Sequence, residues 1–384
     1  MNLRMEWDLN IVIKISYVLY GILGLFLLIQ LYYILFVYSK LAAYKVKSYK
    51  DSEHQPPVSV IICAYNEEEN LKQFLPSVLE QDYPQFEVIV VNDCSQDDTK
   101  WVLKEFSAQY PHLRVVDIKE NIRLKNSKKF ALTLGIKAAK YEHLIMTDAD
   151  CQPNSSQWLR EMAGAYSEGK EIVLGYSPYF RRAGFLNKLI RFETTHTAMS
   201  YLSYALKRNA YMGVGRNLSY LKSLFFRGKG FNAHMHIKSG DDDLFVNHNA
   251  NKTNVNIAIH PDAHVYSVPK DSWRSYYKQK GRHAGASVLY KRQHKRMLAR
   301  QLLSALLFYI MLIICLSIYP NLWFVGAGMF VFRYICQLFV FVPIYKKLAV
   351  KDLIWWLLIL DVFYYFYICI NGIFNRKKTQ KTWK

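Results

Sequence analysis

The sequence predicts an α/β domain with a mixed, mostly parallel sheet, flanked on both sides by transmembrane helices. Three observations predict it. Residues 56–165 alternate short β-branched runs with helical patterns, the layout of a parallel sheet covered by helices. Residues 15–38 form one apolar run of 24 residues. As a helix that run is roughly 36 Å long, more than the ~30 Å hydrocarbon core of a bilayer. A second apolar region covers residues 302–374.

The run at 15–38 is too long for a cleaved signal peptide, and no small-residue cleavage site precedes the basic stretch after it. The first strand is Val58–Ala64, followed by a helix over 67–81. A second strand is expected at 86–91, a helix at 99–109 and a third strand at 113–117. A helix over 127–139 and a fourth strand at 143–147 complete the alternation. Residues 185–206 read as a helix that could lie on a membrane surface, with His196 a surface histidine. Residues 211–217 contain Gly213 and Gly215 and read as a loop, lining an acceptor channel or making a plain turn. Trp273, Tyr276, Tyr277, Lys278 and Lys280 give residues 271–300 the pattern of an interfacial amphipathic helix. The last apolar region breaks at Pro320-Asn321 and at 346–352, leaving segments 302–319, 322–345 and 353–374. Arg333 and Asp361 fall inside them and are expected to face protein or water, because a charge facing lipid is costly. The chain thus divides into an N-terminal span (1–40), an α/β domain (41–270), an interfacial helix (271–300), a C-terminal membrane region of two or three spans (301–375) and a basic tail (376–384).

Composition narrows the partners. Apolar residues are 52% of the 384 and aromatics 15%, which excludes a disordered chain. A net charge of +20 implies an anionic partner. Much of that excess flanks the apolar runs, at Lys40, Lys45, Lys47 and Lys50 and at Lys291, Arg292, Lys295, Arg296 and Arg300. This favours a membrane surface over nucleic acid, for which the sequence offers no motif. By the positive-inside rule residues 40–300 are cytoplasmic. The tail, with Arg376, Lys377 and Lys378, is expected there too, whereas three C-terminal spans would place it opposite. One of the last two segments is then re-entrant or interfacial, or the rule fails. The six cysteines form no CxxC pair and read as reduced packing residues, not as a disulfide or zinc framework. Three N-x-[ST] sequons begin at Asn154, Asn217 and Asn251 and would stay unmodified in a cytoplasmic domain.

In parallel α/β sheets ligands bind at the carboxyl ends of strands. Polar residues concentrate there: Tyr65-Asn66-Glu67, Asn92-Asp93-Cys94-Ser95 and Asp148-Ala149-Asp150, with Gly240-Asp241-Asp242-Asp243 further on. In this order, with Gln279-Lys280-Gly281-Arg282-His283 after them, these motifs resemble those of the family 2 glycosyltransferases, which have the GT-A fold. The last segment is similar to the QxxRW motif of membrane-embedded members such as cellulose, hyaluronan and chitin synthases and ceramide glucosyltransferase. The resemblance covers roughly residues 56–300. Two departures stand out: the usual DDGS is Asn92-Asp93-Cys94-Ser95, and the usual Trp of QxxRW is His283.

The resemblance implies roles. Asp148 and Asp150 would hold Mg²⁺ or Mn²⁺ with the donor diphosphate, Asp150 as the direct ligand, since hard cations take oxygen ligands. Asp93 would accept a hydrogen bond from the nucleotide base, and Tyr65 and Glu67 would line base and ribose. A helix N-cap or Asx turn for Asp93, and core packing for Tyr65, are the plainer alternatives. Lys128 would meet the diphosphate, with Lys129 as the fallback. Asp242 would be the general base; Asp241 or Asp243 could be, and the run could simply cap a helix near Leu244. Three adjacent acids should raise one another's pKa. Gln279 and Arg282 share a helix face, and with His283 and Asp241 they would contact diphosphate and acceptor. The implied reaction is inverting transfer from a nucleotide sugar, UDP-linked, to a membrane lipid or short glycan at the cytoplasmic face of the cell membrane. A processive polysaccharide synthase, which a dimer would make more feasible, is the alternative. An inactive scaffold should have lost one of these acids or Arg282.

Overall fold

The N-terminal helix α1 (Asn2–Tyr32) runs through a π-helical stretch, Tyr33–Tyr38, into α2 (Ser39–Ala43). The computed structural model describes residues 2–118, 128–237, 239–283 and 285–375, with side chains described for 14–118, 128–237, 239–281 and 285–368. The chain then forms β1 (Val58–Ala64), α3 (Glu68–Leu79), β2 (Phe86–Asn92), α4 (Thr99–Gln109), β3 (Leu113–Asp117), α5 (Lys128–Ala138) and β4 (His143–Asp148). Next come β5 (Cys151–Pro153), α6 (Trp158–Gly164), β6 (Ile172–Gly175), α7 (Phe185–Leu206), β7 (Leu218–Leu221) and α8 (Lys222–Arg227). They are followed by α9 (Asp243–Asn249), β8 (Val255–Ala258), β9 (Val265–Ser267) and α10 (Trp273–His283). The C-terminal helices are α11 (Arg292–Ile318), α12 (Trp323–Lys347) and α13 (Leu357–Asn375).

The chain separates into two units. Among the described residues, one contains 2–43, 292–346 and 351–374; the other contains 44–291 with 347–350. The second holds a seven-stranded sheet of order β3-β2-β1-β4-β7-β6-β8. Strands β3, β2, β1 and β4 are mutually parallel, and β7 runs antiparallel between β4 and β6. The sheet is therefore mixed and mostly parallel, as predicted. All seven residues of β1 are buried, which is why its sequence is a continuous apolar run rather than an alternating one. Strands β6, β7 and β8 are four residues each, too short to carry a pattern of their own. Helix α7 corrects one expectation: most of its residues are buried within this unit, His196 among them at 5% exposure. It is a core helix rather than a membrane-surface one. Asn217 is fully buried, accepting a hydrogen bond from the Trp158 indole and donating to the Tyr176 and Ala263 carbonyls. That sequon is a core element.

In the other unit, among the described residues, three helical stretches are long and apolar enough to cross a membrane: Lys14–Ala43, Arg292–Ile318 and Pro320–Lys347. Arg333 and Asp361 are buried there and pair at 3.1 Å. Tyr309 and Gln337 each bond both members of the pair, and Gln30 accepts from Arg333 while donating to Ser304. Each charge faces protein, because inside an apolar bundle only other side chains can satisfy it.

Candidate active site

Register brings the strand-end motifs together. Ala64 lies opposite Asn92, and Cys63 opposite Asp148, so the chain leaves β1, β2 and β4 at one edge of the sheet. Both exits from β1 and β2 turn through left-handed residues, Asn66 at φ 53° and Cys94 at φ 57°. Cys94 stands where the resembled DDGS motif has glycine, the residue that adopts this conformation without strain. Asn92, which replaces the first acid of that motif, donates to Asp117 and accepts from the Ser95 N–H. Asp93 is buried at the end of β2, with its N–H on the Ala64 carbonyl. Tyr65 is half-buried at the end of β1.

Helix α5 opens on two lysines with different partners. Lys128 Nζ lies 2.8 Å from Asp148 and 3.1 Å from Asp241. Burial opposes its charge, but these two carboxylates outweigh it and hold the ammonium well above its ordinary pKa. Lys129 is buried and donates to the His234 and Ile237 carbonyls, anchoring the segment before the acidic run. Lys128 thus faces the carboxylates, and Lys129 holds the backbone of residues 234–237.

The acids at 241–243 separate by environment. Asp241 is bound to Lys128, which overcomes burial and keeps it below the ordinary carboxylate value. Asp243 accepts from the Leu244 N–H and from the Tyr290 hydroxyl, 2.7 Å each, and burial lifts it to about 6. Asp242 caps α9: one oxygen accepts from the Asp243 N–H at 2.7 Å and the other from the Gly215 N–H at 2.8 Å. No cation pairs with it among the described residues. Burial, then the charges of Asp241 and Asp243, push it up to about 7. Mutual repulsion therefore acts on Asp242 and Asp243, while Lys128 reverses it for Asp241. Gly215 matters here because a Cβ at that position would sit 3.3 Å from Asp242.

A cavity of about 290 Å³ joins these groups, walled by Glu67, Lys128, Asp148, Asp150, Asp241, Asp242 and Gln279 among others. Tyr65 and Asp93 are not in its wall. Beyond the acids its wall carries Tyr176, Tyr179, Thr194, Thr197 and Tyr201, a surface rich in hydroxyls. Gln279 on α10 donates to the Tyr179 hydroxyl at 3.3 Å. Helix α10 is held to α7 through Glu193, which accepts from Tyr276 and pairs with Lys280 at 2.8 Å. Trp273 and Tyr277 stack on its exposed side. The side chains of Arg282 and His283 lie outside the described residues.

The acid pair suits a hard divalent cation. Asp148, Asp150 and Cys151 present ligand atoms within 4.8 Å of one another. Burial and the Asp148 charge raise Asp150, opposed by Arg216 and Lys270, so an added cation would relieve both carboxylates. Lys128 already engages Asp148, which leaves Asp150 the more open ligand. Burial holds the Cys151 thiol well above its ordinary pKa, so it is neutral and a poor ligand. Arg216, whose place in the site the sequence does not signal beyond the glycines before it, lines the same wall.

Residues 59–227 match the family described as Glycosyl transferase family 2. The chain is 39% identical over 101 residues to the poly-beta-1,6-N-acetyl-D-glucosamine synthase of Staphylococcus epidermidis, a stretch covering 26% of this chain and 23% of that one. It is 37% identical over 123 residues to the glycosyltransferase AglE of Haloferax volcanii, covering 31% and 39%. The chain thus spans well under half the length of these relatives. The mannosyltransferase PcManGT from Pyrobaculum calidifontis, solved with GDP-Man and Mn2+, superimposes with a TM-score of 0.56 at 16% identity, over 95% of this chain and all of that one. That likeness establishes the GT-A fold. The family match ends before Asp241, Asp242, Asp243 and Gln279.

Proposed function

Taking residues 59–227 as a family 2 glycosyltransferase domain, we propose that the chain is a membrane-bound inverting glycosyltransferase. It transfers a sugar from a nucleoside-diphosphate donor, UDP-linked, to a lipid or short glycan acceptor at the cytoplasmic face. The observation that carries this reading is one cavity in which an acid pair, a lysine and a carboxylate with no ion-pair partner among the described residues converge.

Asp148 and Asp150 would hold Mg²⁺ or Mn²⁺, which neutralises charge on a leaving diphosphate. Lys128 supplies a fixed positive charge beside that pair. Asp242 is oriented by two backbone N–H groups, and each oxygen keeps a lone pair for a proton. It takes the proton from the acceptor hydroxyl as that oxygen bonds to the anomeric carbon. The bond to the diphosphate breaks and carries its electron pair to phosphate. One displacement inverts the anomer. The hydroxyl-rich wall near Tyr179 and Thr197, with Gln279, receives the acceptor. Glu67, Asp93 and Tyr65 are assigned to the nucleoside. The similarity to a poly-beta-1,6-N-acetyl-D-glucosamine synthase favours a second reading, processive extension of a polysaccharide.

The test is a donor screen on the detergent-purified chain, with nucleotide sugars, Mg²⁺ or Mn²⁺, and a lipid extract. Release of nucleoside diphosphate from one donor, abolished by EDTA and by Asp150→Ala, supports the reading. Label in the lipid fraction supports the lipid acceptor, and label in a polymer the second reading. No release from any donor by folded protein would overturn it.

A further inference from the structure

Arg216 is placed as few arginines are. Its backbone carbonyl accepts from Thr147, the residue before Asp148. Its guanidinium lies 4.3 Å over the Tyr179 ring, and Nη2 donates to the Ser177 carbonyl at 3.2 Å. The other terminal nitrogen, Nη1, is buried without a hydrogen-bond partner. No carboxylate lies within ion-pairing distance among the described residues, although the charges of Asp148 and Asp150 reach it. A stranded guanidinium N–H is costly, so such a group implies an acceptor that arrives with a ligand.

The charge balance of the cavity says what kind. Lys128 is committed to Asp148 and Asp241, and Lys280 to Glu193. Arg216 and Lys270 remain as wall cations without a carboxylate partner among the described residues. With a divalent cation on Asp148 and Asp150, those carboxylates no longer balance Arg216, and an anion must. The rigid, forked guanidinium fits phosphoryl oxygens better than it fits neutral sugar hydroxyls. Its stacking on Tyr179 fixes the plane of that fork, and Gln279 fixes Tyr179 in turn.

We propose that Arg216 is the phosphoryl-binding residue of this cavity, its guanidinium receiving an oxygen of a substrate phosphate. The proposal rests on the glycosyltransferase reading and names the residue that recognises the charged part of the substrate. Two substrates carry that chemistry: the donor diphosphate and a phosphorylated lipid acceptor.

The test is calorimetric binding to the full chain in detergent, with Mn²⁺ present, of inorganic pyrophosphate and of UDP. Arg216→Gln should weaken both about tenfold or more, and Arg216→Lys should recover part of the loss, because it keeps the charge and loses the fork. Unchanged UDP and pyrophosphate binding, with lost binding to phosphatidylcholine vesicles containing polyprenyl phosphate, assigns the phosphate to the acceptor instead. If all three are within about twofold of the parent, the proposal is overturned and Arg216 only braces Tyr179. Should the variants fail to fold, phenylglyoxal labelling of the unaltered chain replaces them. Pyrophosphate, or polyprenyl phosphate if the site serves the acceptor, should then protect Arg216, and equal labelling with and without both overturns the proposal. These readouts do not require turnover. Phosphate binding that depends on Arg216 in a chain that transfers no sugar would sink the enzymatic reading and leave this one standing.

Discussion

If Asp242 is the base, its ionisation sets the rate. Burial and the neighbouring charges of Asp241 and Asp243 raise its pKa from 3.8 to about 7, against the opposing pull of Lys128 and the Gly215 N–H. A base of that pKa is roughly a tenth ionised at pH 6, half at pH 7 and nine-tenths at pH 8. With metal saturating, kcat/KM should rise about fivefold from pH 6 to pH 7 and less than twofold from pH 7 to pH 8. A carboxylate at its ordinary pKa would give a flat profile there. Asp242→Asn should lower kcat by roughly 10²–10⁴ and remove the inflection, with UDP affinity nearly intact. The amide costs something in the fold: it turns an N–H donor toward the Gly215 or Asp243 N–H, a loss of about 1–3 kcal/mol. The sign with pH also follows. The folded state holds the Asp242 proton more tightly than the unfolded chain does. Its contribution to stability is full below the unfolded value and is lost as pH rises through about 7. The variant should therefore be penalised less at pH 8 than at pH 5. The assay is released nucleoside diphosphate, with melting curves at each pH. A flat profile in folded enzyme, or the same inflection in Asp242→Asn, would refute the assignment.

Gly215→Ala puts a Cβ 3.3 Å from Asp242 and should swing the carboxylate aside. A shift near 1 Å in a reacting group costs on the order of 10²-fold in kcat. Nucleotide affinity, measured by calorimetry, should hardly change. Cys94→Gly relieves a left-handed backbone at φ 57° and gives up the thiol contact to the Ile118 carbonyl. It should stabilise the chain by about 1 kcal/mol in denaturant titrations. Arg333→Leu strands Asp361 and should cost about 3–5 kcal/mol in detergent unfolding. Arg333→Leu with Asp361→Leu should cost less than either substitution alone, since no charge is left unpaired.

Much of the architecture was legible because burial writes itself into sequence. Strand β1 is apolar at nearly every position because both of its faces are covered, and α4 and β3 begin and end where the pattern places them. Strands β6, β7 and β8 were not legible. At four residues each, they are strands only because neighbours pair with them. Helix α7 carries enough polar residues to look superficial, and only packing shows that Glu193, Thr195, His196 and Ser200 are inside.

The site divides the same way. The sequence by itself determined the family resemblance, the acid pair at the end of β4 and the run at 241–243. Chemistry at strand ends needs particular residue types at short spacing, and short spacing is visible in a string of letters. Only the tertiary structure separated the three acids. Lys128 claims Asp241, Tyr290 claims Asp243, and Gly215 with the start of α9 orients Asp242. Lys128, Tyr290 and Gly215 stand between 27 and 113 positions from the acids they engage. The same holds for Arg216, whose partners Thr147, Ser177 and Tyr179 come from β4 and from the segment that follows β6. A carboxylate's pKa and a guanidinium's need for an anion depend on what lies within a few ångströms, and that distance is set by the fold, not by the order of the residues.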